Sequence, residues 1–355
     1  ILDEVEKILS SQLSMGENVR LFEKEFSNMV GTRHSVASNS CTSSLETALQ
    51  VLGASTDDEV IVPTQTFIAT GMAVKLVGAK PVFCEINPRD FSLDFNAMKN
   101  LLNKRTKGVI LVHFAGYISD DIFKIKKFCE ENNLFLIEDA SHAPGANIDG
   151  KFSGSIGDIG CFSLYPTKII TSGEGGMLTT DNDQIAQQAV SLQNRGRDMQ
   201  SDTEEYSLVG RNIRMTEMCA ITGRVQLNRL ESYLSQRRKI GKYYKESLNE
   251  IQEIVAIAPL NDDQSSYWKF PIILEDSINR DDFLIGLHKS GVFADLTYQP
   301  PLHLQPVFKK LYGTKRGDLK QSESIMTRHV CLPCHQSMTL KDAEYVMNQV
   351  KKILK

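Results

Sequence analysis

The stretches Gly108-Val109-Ile110-Leu111-Val112 and Leu134-Phe135-Leu136-Ile137-Glu138-Asp139 decide the fold of this chain. Each is a short apolar run, and residues 122–131 between them are predicted as a helix. Strands that are buried on both faces of a parallel sheet have this continuous apolar character. The pattern therefore predicts an α/β fold around a mainly parallel sheet.

The same alternation extends to both sides of these runs. Further strands are predicted at 59–63, 80–83, 160–164 and 176–180, with helices at 68–77 and, capped by Thr42, at 43–49. After Met215 the pattern changes: one long helix through Leu227, Leu230 and Leu234 is expected to reach about residue 248. A strand at 267–274 and helices at 280–289 and 340–354 follow. We predict a large domain over residues 1–229 and a smaller α+β domain over residues 230–355.

Composition excludes several classes of protein. The chain has 355 residues, with 40 Lys and Arg against 44 Asp and Glu. It therefore lacks the surplus of basic residues that is typical of a nucleic-acid-binding protein, and no nucleic-acid partner is predicted. The basic run Arg237-Arg238-Lys239 is expected to be a solvated helix face. No apolar run approaches the roughly 20 residues of a membrane span, so no membrane association is predicted. The seven scattered cysteines predict reduced thiols and a cytoplasmic location, and the lone Cys331/Cys334 pair predicts no metal site.

Polar side chains gather where two predicted strands end. Asp139 and His142 follow one strand, and Ser163 and Lys168 follow another. Ligands of open α/β sheets bind beyond the carboxyl ends of the strands, so these groups are expected to converge. A lysine and an acid are what pyridoxal 5'-phosphate requires: a Schiff-base amine and a partner for the pyridine nitrogen. Residues 40–42, which open a helix, offer hydroxyls and backbone N–H groups to a phosphate.

Motifs spread along the whole chain resemble the DegT/DnrJ/EryC1/StrS family of sugar aminotransferases, which have the aspartate aminotransferase fold type I. They occur in the order expected for that family. They are Ser40-Cys41-Thr42-Ser43-Ser44-Leu45, Asp58-Glu59-Val60-Ile61-Val62-Pro63, Thr66-Phe67, Val77-Gly78-Ala79-Lys80-Pro81, Glu138-Asp139-Ala140-Ser141-His142-Ala143, Gly157 to Ser163, Lys168, Gly173-Glu174-Gly175-Gly176, Asn212-Ile213-Arg214-Met215 and Pro301-Leu302-His303.

The resemblance implies a role for each matching residue around pyridoxal 5'-phosphate. Lys168 would carry the cofactor as a Schiff base and then move the proton between substrate and cofactor carbons. Asp139 would pair with the pyridine nitrogen, His142 would lie near the ring hydroxyl, and Phe67 would stack on the ring. The resemblance also implies that Cys41, Thr42 and Ser163 bind the cofactor phosphate. It further implies a homodimer with shared sites, in which Asn212 binds the phosphate of the partner subunit's cofactor.

The implied substrate-binding residues are Arg214, Tyr298 and His303. The expected activity is transfer of an amino group from L-glutamate to a keto-sugar, namely a nucleotide-linked 4-keto- or 3-keto-6-deoxy-hexose. Three alternatives stay open: a sugar dehydratase on the same scaffold, a non-catalytic regulatory protein that binds the cofactor, and an aminotransferase acting on a keto-inositol. Lysine at position 168 favours transamination, because the dehydratase branch has histidine at the Schiff-base position.

Overall fold

A computed structural model describes residues 2–10, 12–259 and 261–354. The helices are α1 Leu2–Leu9, α2 Glu17–Val30, α3 Cys41–Val51, α4 Ile68–Leu76, α5 Phe95–Leu101, α6 Ile122–Glu131, α7 Asp183–Gln193, α8 Glu217–Leu227, α9 Leu230–Leu248, α10 Arg280–Lys289, α11 Pro306–Tyr312, α12 Lys320–Arg328 and α13 Leu340–Ile353. The strands are β1 His34–Ser38, β2 Glu59–Pro63, β3 Lys80–Cys84, β4 Thr106–Val112, β5 Phe135–Asp139, β6 Asn147–Ile148, β7 Lys151–Phe152, β8 Ile159–Ser163, β9 Gly176–Thr180, β10 Ile254–Ala256, β11 Phe270–Leu274 and β12 His329–Leu332.

Among the described residues, seven strands form a central sheet in the order β1-β9-β8-β5-β4-β2-β3. The neighbours from β8 to β3 are parallel, and β9 is antiparallel to both β8 and β1. The predicted α/β fold with a mainly parallel sheet is therefore confirmed. The parallel arrangement places the carboxyl ends of β5 and β8 side by side, where Asp139 and Ser163 lie.

Helices cover both faces of the central sheet, which explains the unbroken apolar runs. Side chains of a strand alternate between faces, so Val60 and Val62 pack toward α3, α4 and α7 while Ile61 packs toward α5 and α6. Ala37 of β1 and Phe162 of β8 pack in the same hydrophobic cluster as residues of α2 and α8. Burying both faces fixes the sheet and therefore the positions of the loops at its carboxyl edge.

A second sheet lies in the C-terminal third, where the described strands β10, β11 and β12 are antiparallel in that order. Its core joins residues of α9, α10 and α13 to β11 around the buried rings of Tyr244 and Phe270. The first turn of α9 packs differently: Leu230 and Leu234 contact the core of the central sheet. The division at 229/230 stays a prediction, and it falls where α9 begins.

Three local predictions are wrong for physical reasons. The N-cap of α3 is Ser40, whose side chain accepts a hydrogen bond from the Ser43 N–H; Thr42 lies inside the helix. The long helix is interrupted between α8 and α9, where the Arg229 N–H bonds three residues back, to the Gln226 carbonyl, and tightens the turn.

The third correction concerns Arg237, which is buried at 3% exposure instead of solvated. Its guanidinium donates hydrogen bonds to the carbonyl oxygens of Tyr267, Trp268 and Cys334. Backbone carbonyls and the Gln336 side-chain oxygen thus accept from the two terminal nitrogens of this cation, while its buried Nε has no hydrogen-bond partner. The side chain joins α9 to the start of β11 and to the segment after β12.

Candidate active site

The carboxyl ends of β5 and β8 and the first turn of α3 open on a cavity of about 1060 Å³. Eight of the predicted site residues line it together: Cys41, Thr42, Phe67, Asp139, His142, Ser163, Lys168 and Tyr298. They come from five separate segments of the chain. The sheet order, rather than sequence proximity, brings them to one edge.

Lys168 lies in the turn that follows β8, where its N–H bonds to the Tyr165 carbonyl. Burial lowers the pKa of this lysine from its usual value of 10.5 to about 8, against the opposing charge of Asp139, and the Lys269 charge adds to the lowering. Its Nζ lies 4.5 Å from the centroid of the Trp268 ring. An amine that is partly neutral near pH 7 can act as a nucleophile and as a base.

Asp139 ends β5 and is held from two sides. Its Oδ2 accepts a hydrogen bond from Thr70 Oγ1 at 2.9 Å, and its Oδ1 accepts one from the Ser141 N–H at 3.2 Å. The side chain is buried and lines the cavity. A carboxylate with both oxygens oriented in this way can face a protonated ring nitrogen.

His142 stacks on Trp268, with ring centroids 3.9 Å apart and an interplanar angle of 11°. Its Nε2 lies 3.0 Å from the Tyr298 hydroxyl, and its buried Nδ1 has no hydrogen-bond partner. Burial, with the charges of Lys168 and Lys269 nearby, holds the pKa of His142 well below its usual value. The ring is therefore a neutral imidazole with one nitrogen available to a ligand.

The first turn of α3 meets a tight return of the chain. Gly173 has φ +87° in that return, and Gly176 is so close to α3 that a Cβ would lie 2.4 Å from the Ser40 carbonyl group. The absence of a side chain at Gly176 lets β9 approach the helix start, whose N–H groups favour an anion. Thr42 and Ser163, which both carry hydroxyls, also line the cavity.

Cys41 also lines this wall, with its Sγ 3.0 Å from Ser141 Oγ. Burial and the Asp139 charge raise the pKa of the Cys41 thiol far above its usual value. The group is a neutral thiol at physiological pH, which agrees with a packing role and not with a nucleophile.

Three predicted residues lie outside the cavity wall. Asn212 is exposed and pairs through its backbone with Asn194, while Arg214 donates to Asn194 Oδ1 at 2.5 Å. His303 is 1% exposed, and its two ring nitrogens contact Thr64 Oγ1 at 2.7 Å and Glu323 Oε1 at 3.0 Å. In this chain His303 therefore has no free nitrogen for direct contact with a substrate.

Sequence reasoning missed several residues of the cavity wall, among them Trp268, Lys269 and Asp295. Trp268 anchors its indole by donating from Nε1 to the Thr167 carbonyl at 2.7 Å. A signal was present, since the only tryptophan of the sequence is followed by a lysine directly before a strand. Its distance of 100 residues from Lys168 gave no reason to connect the two.

The described residues contain neither a membrane-spanning helix nor a cluster of side chains suited to a metal ion. No helix there is long and apolar enough to cross a bilayer. No group of three or more histidine, cysteine or acidic side chains in that part of the chain is arranged to hold a metal ion.

Comparison with known proteins connects the site to a family. The model of the DegT/DnrJ/EryC1/StrS aminotransferase family matches residues 1–351. GDP-perosamine synthase from Caulobacter vibrioides is 33% identical, over 96% of this chain and 91% of that protein. The Bacillus subtilis spore coat polysaccharide biosynthesis protein SpsC is 32% identical, over 100% of this chain and 94% of that protein. The PLP-form structure of a sugar aminotransferase, Spr1654 from Streptococcus pneumoniae, is similar at a TM-score of 0.90 and 26% identity, covering 99% and 95% of the two chains.

Proposed function

The chain belongs to the DegT/DnrJ/EryC1/StrS aminotransferase family, and on this premise we propose that it transfers an amino group from L-glutamate to a nucleotide-linked keto-sugar. We propose a 4-keto- or 3-keto-6-deoxy-hexose as the acceptor. The observation that carries the proposal is Lys168, a half-buried amine with a pKa of about 8, in one cavity with the oriented carboxylate of Asp139. The similarity to GDP-perosamine synthase supports a nucleotide sugar.

The donors of the cavity fit pyridoxal 5'-phosphate. The buried, unpartnered Nδ1 of His142 and the close approach of Gly176 to the start of α3 are features that a polar, phosphorylated ligand would satisfy. Lys168 would hold the cofactor covalently and Asp139 would face its ring nitrogen. His142 would lie near the ring hydroxyl, and Thr42, Ser163 and the backbone at Cys41 would receive the phosphate. When bound, the cofactor withdraws electrons from the substrate carbon that loses or gains a proton.

Lys168 then carries out the proton transfers. Its amine must be neutral to accept a proton, and the pKa of about 8 leaves an appreciable neutral fraction near pH 7. His142 stays neutral throughout, so its nitrogen does not compete for this proton.

The acceptor would bind on the open side of the cavity. Phe67 and Tyr298 lie there with ring centroids 5.3 Å apart, and Phe67 is 52% exposed. Phe67 would lie on the face of the cofactor, and Tyr298 would contact the substrate. We keep Arg214 as a candidate for a substrate carboxylate. We assign His303 to holding Thr64 in place, because both of its nitrogens are engaged.

We also propose that the working unit is a homodimer. Asn212 is exposed and lies outside the cavity of its own chain, so it is free to reach the cofactor phosphate of a partner subunit. A cytoplasmic location is proposed together with this function, since it accords with seven free cysteines in the described residues.

The test of the proposal follows both half-reactions. The purified protein with pyridoxal 5'-phosphate is expected to show a visible absorbance band that fades on addition of L-glutamate, with stoichiometric release of 2-oxoglutarate. A 4-keto-6-deoxy-hexose nucleotide should then restore the band and yield an amino sugar. Loss of water from the sugar without amine transfer would indicate a dehydratase, and turnover of a keto-inositol alone would indicate a different acceptor class. A band that no amino acid changes would leave only a cofactor-binding protein.

A further inference from the structure

A second lysine lies in the cavity wall. Lys269 directly precedes β11, and its Nζ contacts Asp295 Oδ2 at 2.5 Å. The backbone of Asp295 pairs with Cys331 of β12, so both partners are fixed to the same small sheet. The ion pair is partly open, with the Lys269 side chain 26% exposed. The Lys269 side chain is thus held at a defined place in the cavity wall that also contains Lys168.

The Trp268 ring connects the two lysines. Lys168 Nζ lies 4.5 Å and Lys269 Nζ lies 5.5 Å from the centroid of this one ring. The two Nζ atoms are therefore no more than about 10 Å apart, and two positive charges at that range repel each other more strongly in a partly buried site than in water. The charge of Lys269 therefore disfavours protonation of Lys168.

We propose that Lys269, held in place by Asp295, is a positioning residue that favours the neutral amine form of Lys168. The inference rests on the proposed role of Lys168 and deepens it. It assigns to Lys269 an effect through charge alone, without contact with substrate. Asp295 limits this effect, because its carboxylate offsets part of the Lys269 charge.

Other charged and titratable groups also line the cavity. The Asp139 carboxylate favours the protonated form of Lys168, whereas Lys269 disfavours it. His142 is neutral. The Asp295 carboxylate lies on the Lys269 side and, with burial, raises the pKa of Cys331 to about 12. The titratable and charged groups of the cavity wall are Cys41, Asp139, His142, Tyr165, Lys168, Glu174, Arg237, Lys269, Asp295, Tyr298, Cys334, His335, Asp342 and Tyr345.

The test measures the protonation of Lys168 in the apoprotein, so it does not depend on turnover. A pulse of isotope-labelled acetic anhydride at a series of pH values, followed by mass spectrometry of the Lys168 peptide, gives the titration midpoint of that amine. The variants are Lys269→Met, Lys269→Arg, Asp295→Asn and the double variant Lys269→Met/Asp295→Asn. Thermal melting of each variant checks that it is folded.

The expected order of midpoints is specific. Lys269→Met should raise the midpoint and reduce Lys168 labelling at pH 7 by about three- to tenfold, since one pKa unit is a tenfold change in neutral fraction. Asp295→Asn should lower it, the double variant should lie between wild type and Lys269→Met, and Lys269→Arg should match wild type. The rate at which pyridoxal 5'-phosphate is taken up at pH 7 should follow the same order.

A matched control is Lys80→Met, which removes a lysine that pairs with Glu59 in the central sheet and lies outside the cavity wall. It should leave the midpoint of Lys168 unchanged. Unchanged midpoints in Lys269→Met and Asp295→Asn, or shifts in the same direction for both, would overturn the inference. Should Lys269→Met fail to fold, Lys269→Gln removes the same charge with a polar side chain, and an unchanged midpoint in that variant would overturn the inference. Failure of the protein to transaminate would count against the proposed function and leave the labelling order readable.

Discussion

Lys168, His142 and Trp268 form the group on which the chemistry of this cavity depends. The indole of Trp268 lies under the Lys168 ammonium and is parallel to the His142 ring. Burial keeps the imidazole neutral and brings the amine close to neutrality. The same surroundings lower the pKa values of His142 and Lys168, so a substitution that changes these surroundings should shift both pKa values.

The first prediction concerns the pH dependence of cofactor uptake. Only the neutral amine attacks the aldehyde, and the pKa of Lys168 is lowered to about 8. The rate at which the apoprotein gains the visible band should therefore rise with pH through about 8 and level off above it. At pH 6 the rate should be roughly a hundredfold lower than on the plateau. A midpoint near 10.5, the value of an ordinary lysine, would contradict the burial argument.

Trp268 provides a second prediction at this scale. Trp268→Leu removes the ring that stacks on His142 and should slow the half-reaction with L-glutamate by about tenfold. Trp268→Phe keeps a ring and loses only the hydrogen bond to the Thr167 carbonyl, with a stability cost of about 1 kcal/mol. Single-turnover absorbance measurements distinguish the two. Equal rates in Phe, Leu and wild type would show that the stacking has no effect on catalysis.

At the scale of elements, the site depends on how α3 begins. Ser40 accepts the Ser43 N–H at the cap and also lines the cavity. The capped turn presents its remaining N–H groups toward the place proposed for the phosphate. The stability of α3 and the affinity for the cofactor should therefore be linked.

We expect Ser40→Ala to lower the free energy of unfolding by about 1 kcal/mol and also to weaken cofactor binding. Asn279→Ala is the matched control, because Asn279 caps α10 in the same way: its side chain accepts hydrogen bonds from the backbone N–H groups of Asp281 and Asp282. It should cost similar stability and leave cofactor affinity unchanged. Urea unfolding of the apoprotein and titration with pyridoxal 5'-phosphate measure the two effects. Equal cofactor affinities in the two variants would show that the N-cap of α3 does not contribute to cofactor binding.

The sequence was most informative about elements whose burial is uniform. The predicted and observed ends of β2, β4, β5 and β9 agree within two residues. Strands β2, β4 and β5 have the continuous apolar character of strands buried in a parallel sheet, whereas β9, which is antiparallel to both neighbours, is marked by the Gly-rich return before it. The sequence predicts Thr42 as the N-cap of α3 and the structure has Ser40, because residues 40, 42 and 43 all carry hydroxyls that can accept the capping hydrogen bond. The interruption between α8 and α9 contains no glycine or proline, so no local signal marked it.

At the scale of the whole molecule, the cavity joins segments that are remote in sequence. Asp139 and Lys168 could be placed together from strand order alone, since both follow strands of one parallel sheet. Trp268, Lys269 and Asp295 could not, because they lie far along the chain, and only contacts such as the hydrogen bond from Trp268 Nε1 to the Thr167 carbonyl bring them to Lys168. The burial of Arg237 is also a tertiary effect, which a basic run in a helix does not indicate.

The assembly gives a prediction at this scale. If the unit is a homodimer with shared sites, the particle mass in solution should be twice that of the 39.8 kDa chain. Asn212→Ala should weaken retention of pyridoxal 5'-phosphate by several-fold without lowering the melting temperature of the apoprotein, since Asn212 is exposed in its own chain. Light scattering and cofactor dialysis measure the two quantities. A monomer that retains the cofactor equally well in both forms would exclude the shared site.

The central claim is that Lys168 holds the cofactor, and the most direct measurement is reduction of the loaded protein with borohydride followed by peptide mass spectrometry. The account predicts that the cofactor mass is found on the peptide that contains Lys168, and that Lys168→Arg gives no labelled peptide while it remains folded. A label on any other lysine, or an unlabelled Lys168 peptide from a protein that shows the visible band, would contradict the account.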